Sequence, residues 1–175
     1  MQKTSYTPIL YPSKPVNMQY TLVKNIFSRK NRFEILDIHE QPTSKVSKER
    51  SGVFAKHYKL HQEKLEIKQY YKGLWSNYEI LAGGQKIANL HRKYRFFKSV
   101  FFMDCLDGAS YKISCDSRRK NYQFHKEDEI VATLKRSSKN LRRCYELTCF
   151  QMEDQAILLA SVVVLDAYLE QDSGS

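Results

Sequence analysis

Residues 78–105, YEILAGGQKIANLHRKYRFFKSVFFMDC, and residues 122–149, YQFHKEDEIVATLKRSSKNLRRCYELTC, are two copies of one pattern. At an offset of 44, Tyr78-Glu79-Ile80 falls on Tyr122-Gln123-Phe124. The match then holds through Ala88/Ala132, Leu90/Leu134, Arg92/Arg136, Phe101/Tyr145, Met103/Leu147 and Cys105/Cys149. Agreement kept in step for so long marks a repeated structural unit. An offset of 45 lays Phe33-Glu34-Ile35 on Tyr78-Glu79-Ile80 and adds a weaker third copy at the front. A smaller unit recurs inside the copies: a basic residue, then, nine or ten positions on, an aromatic followed by a polar or aromatic residue and an apolar one. It appears as Lys24…Phe33-Glu34-Ile35, Lys68…Tyr78-Glu79-Ile80, Arg92…Phe101-Phe102-Met103 and Arg136…Tyr145-Glu146-Leu147. Each reads as a hairpin.

The copies consist of short runs of Tyr, Phe, Ile, Val and Leu separated by Gly, Asn, Asp, Ser and charged clusters, the signature of strands. Gly83-Gly84 reads as a two-residue hairpin turn. Three copies of about 44 residues hold roughly four strands each, giving about twelve. Such a sheet must close to hide its edges, and a closed barrel of that size is too wide for its own side chains to fill. The C-terminus supplies the filling. Ala156 to Leu165 (AILLASVVVL) is apolar on every side except Ser161 and runs on to Leu169. A helix apolar all round is a buried one, and this segment is too short to cross a bilayer comfortably. Glu153 and Asp154 stand at its expected N-terminus, where carboxylates suit the free N–H groups. The expected fold is therefore mainly β: a closed antiparallel barrel of about twelve strands around a buried C-terminal helix.

The whole chain has 175 residues, 42% of them hydrophobic and 13% aromatic, with only six Gly and four Pro; this excludes global disorder and collagen-like structure. Residues 1–17 hold three of the four prolines and no periodic pattern, so an extended arm is expected there. The domain spans 18–170, and 171–175 reads as a polar tail. The N-terminus lacks the apolar run of a secretory signal, and no transmembrane segment is visible. A cytoplasmic protein is expected, free or membrane-associated. Cys105, Cys115, Cys144 and Cys149 show no CxxC pair or zinc-knuckle spacing, so they read as free, metal-free thiols.

The fragments MQYTLVKNIFSRKNRFEILD (18–37), KLEIKQYYKGLWSNYEI (64–80), HRKYRFFKSVFFMDC (91–105), EIVATLKRSSKNLRRCYELTC (129–149) and DQAILLASVVVLDAYL (154–169) together resemble the LURP-one-related proteins of the tubby-like C-terminal superfamily, in a bacterial-type form. The likeness runs from about Met18 to Leu169. It implies a twelve-strand barrel around a hydrophobic C-terminal helix, in agreement with the repeat count. Bacterial members usually carry a Gly-Asp-Phe-Trp-like segment just before residue 122, and the family tends to have Trp or Phe within 137–141. Here those places read Cys115-Asp116-Ser117-Arg118-Arg119-Lys120 and Ser137-Ser138-Lys139-Asn140-Leu141, polar or positive instead.

No catalytic constellation stands out. His57 and His61 are four apart but lie in strand-like sequence without a surrounding HExxH; no nucleophile elbow or phosphate-binding glycine loop is present, and Glu127, Asp128 and Glu129 form an acidic turn. No enzyme and no cofactor are expected.

Charge distribution is the stronger signal. The net charge is +10, and three long stretches hold bases without a single acid: 1–33, 80–103 and 130–145. The last two contribute Lys86, Arg92, Lys93, Arg95 and Lys98, and Lys135, Arg136, Lys139, Arg142 and Arg143. Because they occupy equivalent places in the repeat, they should fall at corresponding loop ends as one basic ligand-binding patch, with Tyr94, Phe96 and Phe97 beside it. Arg118-Arg119-Lys120 adds a positive turn. Mere solvation of a basic protein is the plainer alternative, but a balanced surface normally intersperses acids. The resemblance implies a non-enzymatic module that binds anionic membrane lipid, phosphoinositide-like or with another anionic headgroup, without specifying the ligand. A protein-interaction module and a nonspecific nucleic-acid binder are the competing readings; no recognition motif for nucleic acid is visible.

Overall fold

The computed structural model of the chain describes residues 17–25, 27–28, 30–51, 55–72, 75–95, 98–139, 142–151 and 154–173. The strands are β1 (Met18–Lys24), β2 (Asn31–Leu36), β3 (Pro42–Ser51), β4 (Ala55–Leu60), β5 (Leu65–Lys72) and β6 (Trp75–Ala82). They continue as β7 (Gln85–Arg95), β8 (Lys98–Cys105), β9 (Ser110–Cys115), β10 (Asn121–Lys126), β11 (Glu129–Lys139) and β12 (Arg142–Cys149), followed by α1 (Gln155–Ser173). Every strand pairs antiparallel with its sequence neighbours, and β1 pairs with β12, from Met18↔Cys149 to Val23↔Cys144, to close the barrel. Closure leaves no sheet edge unpaired.

The repeat is visible in the pairing. Ala88↔Cys105, Leu90↔Met103 and Arg92↔Phe101 between β7 and β8 recur 44 residues later as Ala132↔Cys149, Leu134↔Leu147 and Arg136↔Tyr145 between β11 and β12. A β-bulge follows Ile35, Ile80 and Phe124, the same place in all three copies. Bulges bend strands, and three at equivalent places help curl one sheet into a barrel. The units are β2–β5, β6–β9, and β10–β12 completed by β1. The first strand thus supplies the last unit's fourth strand: Leu22 faces Tyr145 as Ile113 faces Phe101 and Ile67 faces Tyr58. Gly83 and Gly84, at φ 56° and 80°, make the two-residue turn between β6 and β7, a conformation that side chains resist.

Strand alternation sends Leu22, Phe33, Ile35, Tyr58, Ile67, Tyr78, Ile80, Leu90, Met103, Phe124 and Tyr145 inward. They close on α1, which is buried without interruption from Leu158 to Leu169. Each large aliphatic side chain so buried contributes about 1.5–3 kcal/mol. Ser161, the polar break in the apolar run, turns its hydroxyl back to the Leu158 carbonyl at 2.7 Å. The helix extends to Ser173, through Gln171 and Asp172 of the segment read from sequence as a tail, because both residues find partners on the barrel wall. Asp154 hydrogen-bonds Lys126 at the helix start. The expected arm at 1–17 lies outside the described residues except for Asn17. No helix among the described residues is long and apolar enough to cross a membrane.

Candidate functional site

In an up-and-down barrel the connections alternate between two ends. Those after β1, β3, β5, β7, β9 and β11 gather around the C-terminal end of α1: Lys24 at the end of β1 meets Glu170, and Tyr168 reaches the carbonyl of Ser76 near the start of β6 at 2.6 Å. Those after β2, β4, β6, β8 and β10 gather at the helix N-terminus, where Lys126 meets Asp154. The first end displays exposed Lys30, Lys72, Lys93, Arg118, Lys120 and Arg142. The second displays exposed Glu40, Asp107, Glu127, Asp128 and Glu129, with Lys64 and Lys86 the exposed bases among them. Asp116, an acid at the basic end, is engaged by the Lys120 N–H and the Asn121 side chain.

Inside the basic end lies a collar. Asp166, only 1% exposed, accepts hydrogen bonds from Lys24 Nζ at 3.0 Å, Arg32 Nη2 at 3.0 Å, Arg143 Nη1 at 2.9 Å and the Tyr145 hydroxyl at 2.7 Å. One turn on, Glu170 pairs with Lys24 at 2.7 Å and with Arg32, while Lys56 stands 3.9 Å away. Asp172 accepts from Arg92 at 2.8 Å and from Arg119. The helix thus presents three carboxylates at the end where its dipole disfavours them, and twice as many bases offset the mismatch. Burial would push the Asp166 carboxyl up, but Lys24, Tyr145 and Arg32 outweigh it and hold the group below the usual carboxylate range. Glu170 is held low in the same way, against burial, by Arg32 and Lys24. Among the described residues, Arg32 Nε, Tyr58 Oη and Ser99 Oγ are buried without a hydrogen-bond partner.

The residues expected to form one patch divide by strand parity. Arg92 and Arg143 share a face with Leu90 and Tyr145, point inward and are engaged by helix carboxylates. Half-buried Arg136 has the parity of Leu134. Lys93 and Arg142 point outward, Lys93 lying 5.0 Å over the Phe102 ring and Arg142 5.9 Å over the exposed Phe27 ring. Lys135 is exposed on the wall. Lys86 belongs to the acidic end, in an ion pair with Glu79 at 3.2 Å. Arg95, Lys98 and Lys139 lie on the strands flanking basic-end connections; their side chains, that of Tyr94, and residues Phe96, Phe97, Asn140 and Leu141 are outside the described residues. Lys24 was legible only as the basic residue of a repeat unit and Arg119 only as part of a positive turn, while Arg32, Lys56, Asp166, Glu170 and Asp172 were not singled out as site residues from sequence. An acid within an otherwise apolar helix was the available signal, since a buried carboxylate needs partners. A repeat offset of 44 back from Arg92 also lands on Lys48, which faces Tyr58 as Arg92 faces Phe101.

A shallow cleft of about 550 Å³ on the wall of β2–β4, lined by Lys45, Ser47 and His61 among others, is satisfied from within: Ser44 bonds Glu63 and His61 bonds Ser47. All four cysteines are free thiols. Among the described residues, no group of three or more His, Cys, Asp or Glu side chains is arranged to hold a metal ion.

The LURP-one-related family model matches residues 18–166, most of the barrel and the helix inside it. The chain belongs to the LURP-one-related family. It is similar to the uncharacterized protein YxjI of Bacillus subtilis (strain 168), with 26% identity over 155 residues, covering 85% of this chain and 92% of that protein. A protein of Arabidopsis thaliana solved by X-ray crystallography shares the tubby-like fold at a TM-score of 0.59, with 16% identity over 88% of this chain and 92% of that one. The β1–β12 seam and the central helix as far as Asp166 fall within the family match, whereas Glu170 and Asp172 lie beyond it.

Proposed function

We propose that this LURP-one-related domain is a non-enzymatic binding module whose basic barrel end docks on anionic membrane lipid. Family and fold support a binding module. The observation that carries the lipid reading is the uneven division of charge: six exposed bases crowd one end, while the other displays five exposed acids against the exposed bases Lys64 and Lys86. A molecule so polarised orients in the field of a negative surface and meets it end-on. Phe27, 83% exposed beside Arg142, adds an apolar residue among the bases. Basic and apolar side chains together suit the headgroup region, where each base near the surface contributes about 1 kcal/mol.

The test is co-sedimentation with vesicles of phosphatidylserine and phosphatidylcholine, comparing the parent with a variant carrying Lys30, Lys93, Arg118 and Arg142 all changed to Glu. These four side chains lie outside the collar, so the melting temperature should hold while affinity falls on the order of a thousandfold. Parent-like vesicle binding by the variant would refute end-on docking. Phe27→Ser separates the readings further: it should weaken vesicle binding and leave binding to duplex DNA unchanged. Displacement from vesicles by any polyanion would favour generic electrostatics, and binding to neither would leave the protein-interaction reading.

A further inference from the structure

The three units of the collar are not equal. The inward position two residues before the aromatic of the third strand is Lys56 in the first unit and Arg143 in the third, and both stand against helix carboxylates. In the second unit, two residues before Phe101, the same position is Ser99. The adjoining strand repeats the contrast: Cys115 follows Ile113 in β9 where Lys24 follows Leu22 in β1. Two short side chains therefore stand where the third unit carries two long bases. In this sector Arg92 and Arg119 converge on Asp172, Arg92 Nη1 reaching both carboxylate oxygens at 2.9 and 2.8 Å. The Arg92 side chain is 10% exposed, and its guanidinium lies 4.9 Å over the Tyr168 ring, a contact independent of Asp172. Ser99, on the strand between those that carry or lead to the two arginines, is 6% exposed with its hydroxyl unpartnered among the described residues. Asp172 itself sits in the last turn of the helix, where helices fray.

We propose that Arg92, Arg119 and the Ser99 hydroxyl form a receptor for a phosphate monoester, and that Asp172 occupies it as an internal stand-in. Two guanidinium forks match the several terminal oxygens of a phosphate, and the serine hydroxyl adds a third donor. A carboxylate brings two oxygens and one charge; a phosphate monoester brings more oxygens and nearly two charges near neutral pH. Arg92, held by Tyr168, stays in place when the carboxylate leaves, so the receptor is preorganised and the last turn of α1 acts as its autoinhibitory cover. This deepens the reading of the basic end as anion-facing but does not require vesicles, so the two can fail separately.

The test is calorimetric titration of the whole chain with inorganic phosphate at constant ionic strength. Asp172→Asn should bind phosphate about tenfold or more tightly than the parent, because the parent's affinity is reduced by the fraction of receptor that is open. Adding Arg119→Gln, a loop change outside the core, should abolish that gain, and Ser99→Ala should reduce it without altering the melting temperature. Equal phosphate affinity in the parent and Asp172→Asn, or a gain that survives Arg119→Gln, would overturn the proposal. Vesicles of phosphatidic acid, a monoester, against phosphatidylglycerol, a diester, identify the source. A gain by Asp172→Asn confined to phosphatidic acid supports a lipid headgroup, and a gain for inorganic phosphate with no preference between vesicles supports a soluble phosphate.

Discussion

Replacing Asp166 with Asn keeps the shape of the side chain and removes the charge that four groups converge on. Breaking a buried ion pair from one side costs about 3–5 kcal/mol. Here the lower figure applies. Lys24 and Arg32 keep Glu170, so the groups that lose their carboxylate partner are Arg143 and the Tyr145 hydroxyl, and an Asn oxygen still accepts from one of them. A loss of about 3 kcal/mol in a domain of this size corresponds to about 6–12 °C in Tm. The pH dependence gives a second readout. The folded-state carboxyl of Asp166 lies below its ordinary value, so its contribution is complete above about pH 4, the unfolded range, and is lost as pH falls through the lower folded value. Asp166→Asn should therefore melt earlier at neutral pH and show a shallower loss of stability between about pH 5 and pH 2 than the parent. Thermal melts by circular dichroism across that range decide it. An Asn variant that melts within 2 °C of the parent at pH 7, with the same acid limb, would refute the view that the collar is an energetic unit.

Two further outcomes test the core. Leu159→Asp places an unpaired charge at a 1% exposed position of the central helix and should cost several kcal/mol, read as a large fall in Tm or loss of soluble protein. Burial raises the thiol pKa of Cys105 to about 11 and of Cys149 to about 12, so native alkylation at pH 8 should spare both while denaturation exposes all four; rapid native labelling of Cys149 would contradict its place in the wall.

Much of the barrel is legible in the chain because repetition reports topology directly. Tyr78 and Tyr122 fall on equivalent strands, the Ala88/Ala132 and Cys105/Cys149 pairs recur in the register, and the apolar run from Ala156 fills the volume that closure leaves. The collar is less legible because its partners are far apart: Lys24 lies 142 positions from Asp166, and Arg92 lies 80 from Asp172. No local pattern connects them. Counting bases by stretch also merges two populations that alternation separates, Arg92 and Arg143 facing in, Lys93 and Arg142 facing out. Parity with Leu90 and Tyr145 distinguishes them once the strands are drawn. The gap at Ser99 emerges only when the three units are superposed on the final register.

The seam between β1 and β12 bears on how the molecule is made. Within the barrel, β1 is synthesised before every other strand yet pairs with the last of them, β12, and the helix that fills the interior is synthesised after both. Hairpins can form in order along the nascent chain, since each strand finds its neighbour at once, but the ring cannot close before β12 emerges, nor its interior fill before α1 does. The long-range contacts that complete it are of the kind that slow folding. Until then β1 and the newest strand offer unpaired edges and a curved apolar face to whatever is nearby, a window in which the chain is open to edge-to-edge association.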